Sequence, residues 1–119
     1  MVIGVGVDLV EIARIKIAMV RPGFLERILT ERERGICKTP QQVAGRWAVK
    51  EAVAKAIGLS LGWHDVEILP DDLGVPHAHI TSPHFDPGRL RIHVSISHER
   101  KNAVGIAVLE RIVIQAVVP

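Results

Sequence analysis

The chain has 119 residues, 48% of them hydrophobic and 24% charged, with a net charge of +2, one cysteine and no tyrosine. A single cysteine excludes an intrachain disulfide, no apolar run reaches the roughly 18 residues that a bilayer span needs, and no basic-then-apolar leader opens the chain, so the expectation is a cytoplasmic protein of one domain, residues 1–119. Small aliphatic residues supply nearly all the apolar surface, a thin core that burial between subunits would help.

Residues 2–7 form an apolar run rich in β-branched side chains and read as a buried first strand with Asp8 at its end. Gly4 and Gly6 predict close approach of a neighbouring backbone. Residues 9–21 place Leu9, Ile12, Ile15, Met19 and Val20 near helical spacing, and Pro22-Gly23 closes that helix. Residues 24–29 predict a short second helix. Thr30 followed by Glu33 has the spacing of a capping box and starts a third. The strongest start signal is Thr39-Pro40-Gln41-Gln42: Thr39 caps, Pro40 suits the first helical position, and Gln42 can reach back. The helix it opens runs to Ile57 and stops at Gly58.

The period then changes to two. Residues 66–69 and 77–80 read as strands around a turn at 70–74, residues 90–97 as another, and residues 103–113 as the last, with the apolar tail 112–118 also strand-like. Helices early and antiparallel strands late give an α+β class: one long buried helix packed on a mainly antiparallel sheet.

Charge divides unevenly along the chain. Residues 11–55 hold ten Lys and Arg against five acids, and residues 56–119 hold five against seven. A basic half favours an acidic partner, whether nucleic acid, nucleotide or acidic protein. Nucleic acid is disfavoured because few aromatics stand among the basic residues to stack on bases. A solvated helical surface explains the same asymmetry without any partner.

Glu51 and Lys55 lie four apart on the long helix, roughly 40° apart around its axis. Near its end that helix is apolar almost all round, so charges inside it need partners. The plain alternative is an exposed salt bridge between the two. Asp8, at the end of a Gly-containing strand, is either a helix N-cap or a ligand. Two carboxylates and a phosphate oxygen would make a hard oxygen site suited to Mg²⁺. Alternation sets Ser95 and Ser97 on one strand face, opposite Val94 and Ile96, and His98 closes the strand. His77 and His79 share a strand face and read as exposed hairpin residues, while His64, His84 and His93 form no pattern.

Three blocks carry a resemblance: Gly4-Val5-Gly6-Val7-Asp8-Leu9-Val10-Glu11, then Arg46-Trp47-Ala48-Val49-Lys50-Glu51-Ala52-Val53-Ala54-Lys55-Ala56-Ile57-Gly58, then Val94-Ser95-Ile96-Ser97-His98. In order and spacing the chain resembles the 4′-phosphopantetheinyl transferases, and in length their holo-[acyl-carrier-protein] synthase branch. That resemblance implies a 4′-phosphopantetheinyl transferase-like fold. It implies transfer of the phosphopantetheine arm of coenzyme A to a serine of apo acyl carrier protein, in the service of fatty acid biosynthesis. Asp8 and Glu51 would hold Mg²⁺, Glu51 would be the candidate base, and Lys55 would serve the leaving phosphate. Arg46, Lys55, Ser97 and His98 would contact coenzyme A, and Arg14, Met19 and Arg21 would receive the acyl carrier protein. A homotrimer with shared sites is expected, with no nucleic-acid or membrane partner. The chain departs from the family pattern at Trp47, in the loop after Gly58, and at Gly74-Val75-Pro76, which lacks a central lysine.

Overall fold

The computed structural model describes residues 1–113. In chain order the elements are β1 (Val2–Glu11), α1 (Ile12–Met19), α2 (Phe24–Ile28), α3 (Glu31–Ile36), α4 (Pro40–Ile57), a 3₁₀ turn (Trp63–Asp65), β2 (Val66–Pro70), β3 (Pro76–Ile80), β4 (Leu90–His98) and β5 (Asn102–Arg111). One antiparallel sheet has the order β1-β5-β4, and β2 and β3 make a separate antiparallel pair. The class is α+β, as expected.

Helix α4 begins where its cap predicts. The backbone N–H of Gln42 donates to Thr39 Oγ1 at 3.2 Å, and that of Thr39 donates to Gln42 Oε1 at 3.1 Å. Gly58 ends the helix with φ 76°, a left-handed turn that suits a residue without Cβ. Thr30 and Glu33 form the same reciprocal box at the start of α3. Val43, Val49 and Val53 of α4 are fully buried, and each contributes about 1.5–3 kcal/mol relative to an exposed side chain. Helix α4 joins two apolar clusters. Its first half packs with Ile12, Ile15, Phe24, Ile28 and Leu29. Its second half packs with Val66, Ile68, Ala107 and Leu109.

The close approach predicted by the glycines of β1 is present. A Cβ on Gly6 would lie 1.9 Å from the carbonyl oxygen of Ala52, and one on Gly105 would lie 2.4 Å from the Val49 nitrogen. The sheet therefore meets α4 backbone to backbone.

Two boundaries differ from expectation. β1 does not end at Asp8: Asp8, Leu9, Val10 and Glu11 pair with Gly105, Val104, Ala103 and Asn102 of β5. The ladder to β5 holds residues 9–11 extended, so α1 starts at Ile12 and not at Leu9. At the other end β5 closes at Arg111, and Ile112 and Val113 follow it without joining the sheet. The strand expected over 114–118 lies outside the described residues.

Candidate active site

Asp8 sits on the face of β1 that turns toward α4, its side chain 19% exposed. Lys55 Nζ donates to Asp8 Oδ1 at 3.2 Å and to the Val7 carbonyl at 3.0 Å. The plain alternative, a salt bridge between Lys55 and Glu51, is absent among the described residues, and the contact runs across elements because β1 brings both a carboxylate and a carbonyl to the last turn of α4. The cap reading of Asp8 fails, since the N-cap position of α1 is Glu11, which makes no side-chain cap bond. Glu51 stands one turn before Lys55 and is half-buried. No hydrogen-bond or ion-pair partner holds its carboxylate among the described residues. Also among these residues, no group of three or more His, Cys, Asp or Glu converges on a cation position. Asp8 and Glu51 would therefore supply a two-carboxylate set, and water or a bound phosphate would have to complete it.

About 7.5 Å back along α4 at the helical rise, Arg46 lines a cleft of about 210 Å³ with Gln41, Gln42, Gly45 and, from β4, Ile96 and His98. Arg46 Nε is buried without a hydrogen-bond partner. A buried donor left unmade is costly, so an anion in this cleft would relieve it. Ser97 does not share the cleft: along β4 the exposure alternates, and Ser97 lies with Ser95 and His93 on the opposite face. The structure thus brings Arg46 and His98 together and sends Ser97 to the outer side of the sheet.

Arg14 of α1 and Arg21 of the turn that follows it meet in a groove of about 490 Å³ that also takes in Arg27, Phe24 and Trp47. Met19 instead packs on the first core cluster. Arg27 was not singled out from the sequence. Its guanidinium stands 5.8 Å over the Phe24 ring, and Phe24, Trp47 and Trp63 form a continuous aromatic layer with centroid separations of 6.0 and 4.5 Å. A cavity of about 760 Å³ between the start of α1 and the β4–β5 turn is basic too, lined by Lys16, Arg100 and Lys101, but contains none of Asp8, Glu51 and Lys55.

The buried charge that an apolar helix must compensate is Lys50, which the sequence reading passed over. Lys50 is 3% exposed and Glu33 fully buried. The ammonium donates to Glu33 Oε1 at 2.6 Å, to Ile28 O at 2.8 Å and to Trp63 O at 2.9 Å. Burial pushes the Lys50 ammonium below the ordinary lysine range, and its bond to Glu33 opposes this. The available signal was Lys50 itself, a cation amid Ala48, Val49, Ala52 and Val53.

Comparison with known proteins gives one consistent answer. A family model described as the 4′-phosphopantetheinyl transferase superfamily matches residues 4–109. The chain is 42% identical to the holo-[acyl-carrier-protein] synthase of Anoxybacillus flavithermus, over 94% of this chain and 98% of that protein. It is 41% identical to that of Chlorobaculum parvum, over 89% and 97%. Among solved structures it is similar to the holo-(acyl-carrier-protein) synthase of Bacillus anthracis in complex with CoA (3′,5′-ADP), with a TM-score of 0.78 and 37% identity over 92% of this chain and 96% of that one. It is similar also to Helicobacter pylori holo-[acyl-carrier-protein] synthase in complex with coenzyme A, with a TM-score of 0.83 and 29% identity over 89% and 99%.

Proposed function

The chain belongs to the 4′-phosphopantetheinyl transferase superfamily, among its holo-[acyl-carrier-protein] synthases, and from that premise we propose that Asp8, Glu51 and Lys55 carry the transfer of phosphopantetheine from coenzyme A to a serine of apo acyl carrier protein. The observation that carries this reading is the Lys55–Asp8 contact beside the unpartnered carboxylate of Glu51. Asp8 and Glu51 would hold Mg²⁺. Two hard oxygen donors without imidazole or thiolate suit a cation that keeps its waters and accepts phosphate oxygens. Held by Asp8 and Glu51, such a cation would supply charge neutralisation for the pyrophosphate of coenzyme A.

The protein's own groups do the remainder. Glu51, directly or through a water, accepts the proton of the attacking serine hydroxyl. The serine oxygen forms its bond to the β-phosphorus as the bond to the bridging oxygen breaks. Lys55, with one donor already on Asp8, stabilises the departing adenosine 3′,5′-bisphosphate or returns a proton to it. The orphaned Arg46 donor, with His98, supports placing the nucleotide end of coenzyme A in the α4–β4 cleft. Ser97 then reaches that nucleotide from the outer face of the sheet, across a contact between subunits. A homotrimer with shared sites fits this, and it fits the open apolar face of β1, where Val5, Val7 and Leu9 are exposed. Arg14 and Arg21, joined by Arg27, offer the acidic carrier protein a basic groove floored by aromatic rings, and Met19 supports α1 from beneath. In this reading residues 1–119 act as one cytoplasmic transferase domain serving fatty acid biosynthesis.

The test is intact-mass analysis of apo acyl carrier protein incubated with the protein, coenzyme A and Mg²⁺. Expected is a gain of one phosphopantetheine arm, abolished by a chelator and by Glu51→Gln, with docking of the carrier protein retained by that variant. Full transfer by Glu51→Gln would refute the site assignment. Docking without any transfer by the unaltered protein would leave a binding module instead.

A further inference from the structure

Lys50 and Glu33 form a buried ion pair whose every hydrogen-bonding group reaches a different part of the chain. Lys50 Nζ spends its three protons on Glu33, on the last carbonyl of α2 at Ile28, and on the 3₁₀ turn at Trp63. Glu33 accepts in addition from Thr30 N at 2.8 Å and from Ile68 N of β2 at 2.9 Å. Five segments outside and inside α4 converge on this one pair. An apolar pair of similar volume would commonly be as stable or more so, because desolvating two charges offsets much of their attraction. Fold stability alone is therefore a weak account of it.

The opposite side of α4 is different in kind. There Gly6 and Gly105 meet the helix backbone at Ala52 and Val49. A contact between glycines, alanines and backbone sets how close the helix lies, but it has no interlocking ridges to set how the helix is turned about its axis. Among the described residues the buried directional grip on this turn is Lys50, the exposed Lys55 bonds to Asp8 and Val7 following one turn on, and the residue after Lys50 is Glu51. Among the described residues Glu51 has no bond of its own to hold its direction. Its placement must come from the rotation of α4.

We propose that the Lys50–Glu33 clamp is a positioning device for Glu51: it fixes the rotation of α4 so that the Glu51 carboxylate faces the Asp8–Lys55 contact. The inference rests on the assignment of Asp8, Glu51 and Lys55 made above. The clamp touches no substrate and acts only through the helix.

Two variants test it. Lys50→Met leaves a buried carboxylate without its cation and is expected to lower Tm. In Glu33→Gln with Lys50→Met the buried charge is gone, the amide oxygen still accepts from one of the Thr30 and Ile68 N–H groups, and part of the lost Tm returns. Both are assayed at a temperature where Trp47 and Trp63 fluorescence shows the native fold, and if the single variant does not fold, the double variant carries the readings. In the double variant kcat is expected to stay about 10²-fold down, the scale that a misplaced group costs, with KM for coenzyme A and for the carrier protein within threefold of the unaltered protein. Mn²⁺ titrated in the presence of coenzyme A, followed by electron paramagnetic resonance, is expected to bind roughly tenfold more weakly. Adding Glu51→Gln to the double variant should cost far less than it does in the unaltered protein. Recovery of kcat together with Tm, or a loss confined to KM, overturns the proposal. If Glu51→Gln alone leaves kcat untouched, the assignment of the site falls instead, so the two failures are told apart.

Discussion

On one face of β1, Gly4, Gly6, Asp8 and Val10 lie beneath α4; on the other, Val5, Val7 and Leu9 are 61%, 55% and 68% exposed. A half-buried strand ordinarily turns its bulky apolar residues inward and its polar residues to water. β1 reverses the bulk. Its covered face carries glycines at residues 4 and 6, where the α4 backbone comes too close for side chains, then a carboxylate, and only at Val10 a buried aliphatic. Its large aliphatic residues are left outside, next to Ile106 of β5, which is 41% exposed. One face is finished within the chain, and the other is an exposed apolar surface on which the proposed assembly would form. The Lys55–Asp8 contact lies on the finished face, and the proposed assembly on the open one.

Breaking the covered face should have the largest effect. Gly6→Val would drive a side chain into the Ala52 carbonyl, already 1.9 Å from an ideal Cβ. Neither backbone can yield cheaply, so a loss above about 4 kcal/mol is expected, seen as absence of a cooperative thermal transition by circular dichroism. Next comes the contact on that face. Lys55→Met removes the donor to Asp8 and Val7, and kcat in the transfer assay should fall about 10²- to 10³-fold, as for loss of one donor to a developing anion. The Tm of that variant should stay close to that of the unaltered protein, since Lys55 is largely solvated.

The open face should respond in the opposite sense. Val7→Asp with Leu9→Asp is expected to change the stability of the single chain by only about 0.5 kcal/mol per site while abolishing assembly, read as single-chain mass by sedimentation velocity. An unchanged mass would show that this face is not the contact. A glycine off both faces serves as the contrast. An added Cβ at Gly35 of α3 meets nothing within 4 Å, so Gly35→Ala should stabilise the protein by about 0.5–1 kcal/mol in urea denaturation.

The smallest effect lies in the β2–β3 turn. There the His77 side chain, 2.9 Å away, and then the Val75 and Leu73 backbone N–H groups hold the Asp71 carboxyl below the usual carboxylate range. The folded value is depressed, so the stabilisation is present above the ordinary carboxylate range and is lost as pH falls through the folded value. His77→Ala should raise the Asp71 midpoint in a carboxyl NMR titration; an unmoved midpoint would place the cause in the backbone bonds alone.

What was legible in the chain was local. Thr39-Pro40-Gln41-Gln42 and Gly58 bound α4 because cap bonds and a positive φ depend on neighbours a few residues away. Thr30 and Glu33 read correctly as a capping box, yet Glu33 is at the same time the partner of Lys50, seventeen residues on, and that second role has no local sign. Arg14 and Arg21 were implicated by the family resemblance, whereas Arg27 joins their groove only because α2 folds back beside α1. Leu9 and Val10 suit helical and extended spacing equally, and the choice fell to pairing with Val104 and Ala103, nearly a hundred residues later.

The amino-acid sequence by itself determined the α+β class, the long central helix with its two ends, the glycine-lined approach of β1, and the family resemblance with the residues it implicates. Only the tertiary structure decided that Lys55 answers Asp8 and not Glu51, that Lys50 is the buried cation of α4, and that Arg46 is left with an orphaned donor beside His98. The reason is physical. Caps, turns and periodicity are settled within one or two turns of chain, while partners for buried and half-buried charges are chosen by whichever distant segment the close packing brings within about 3 Å.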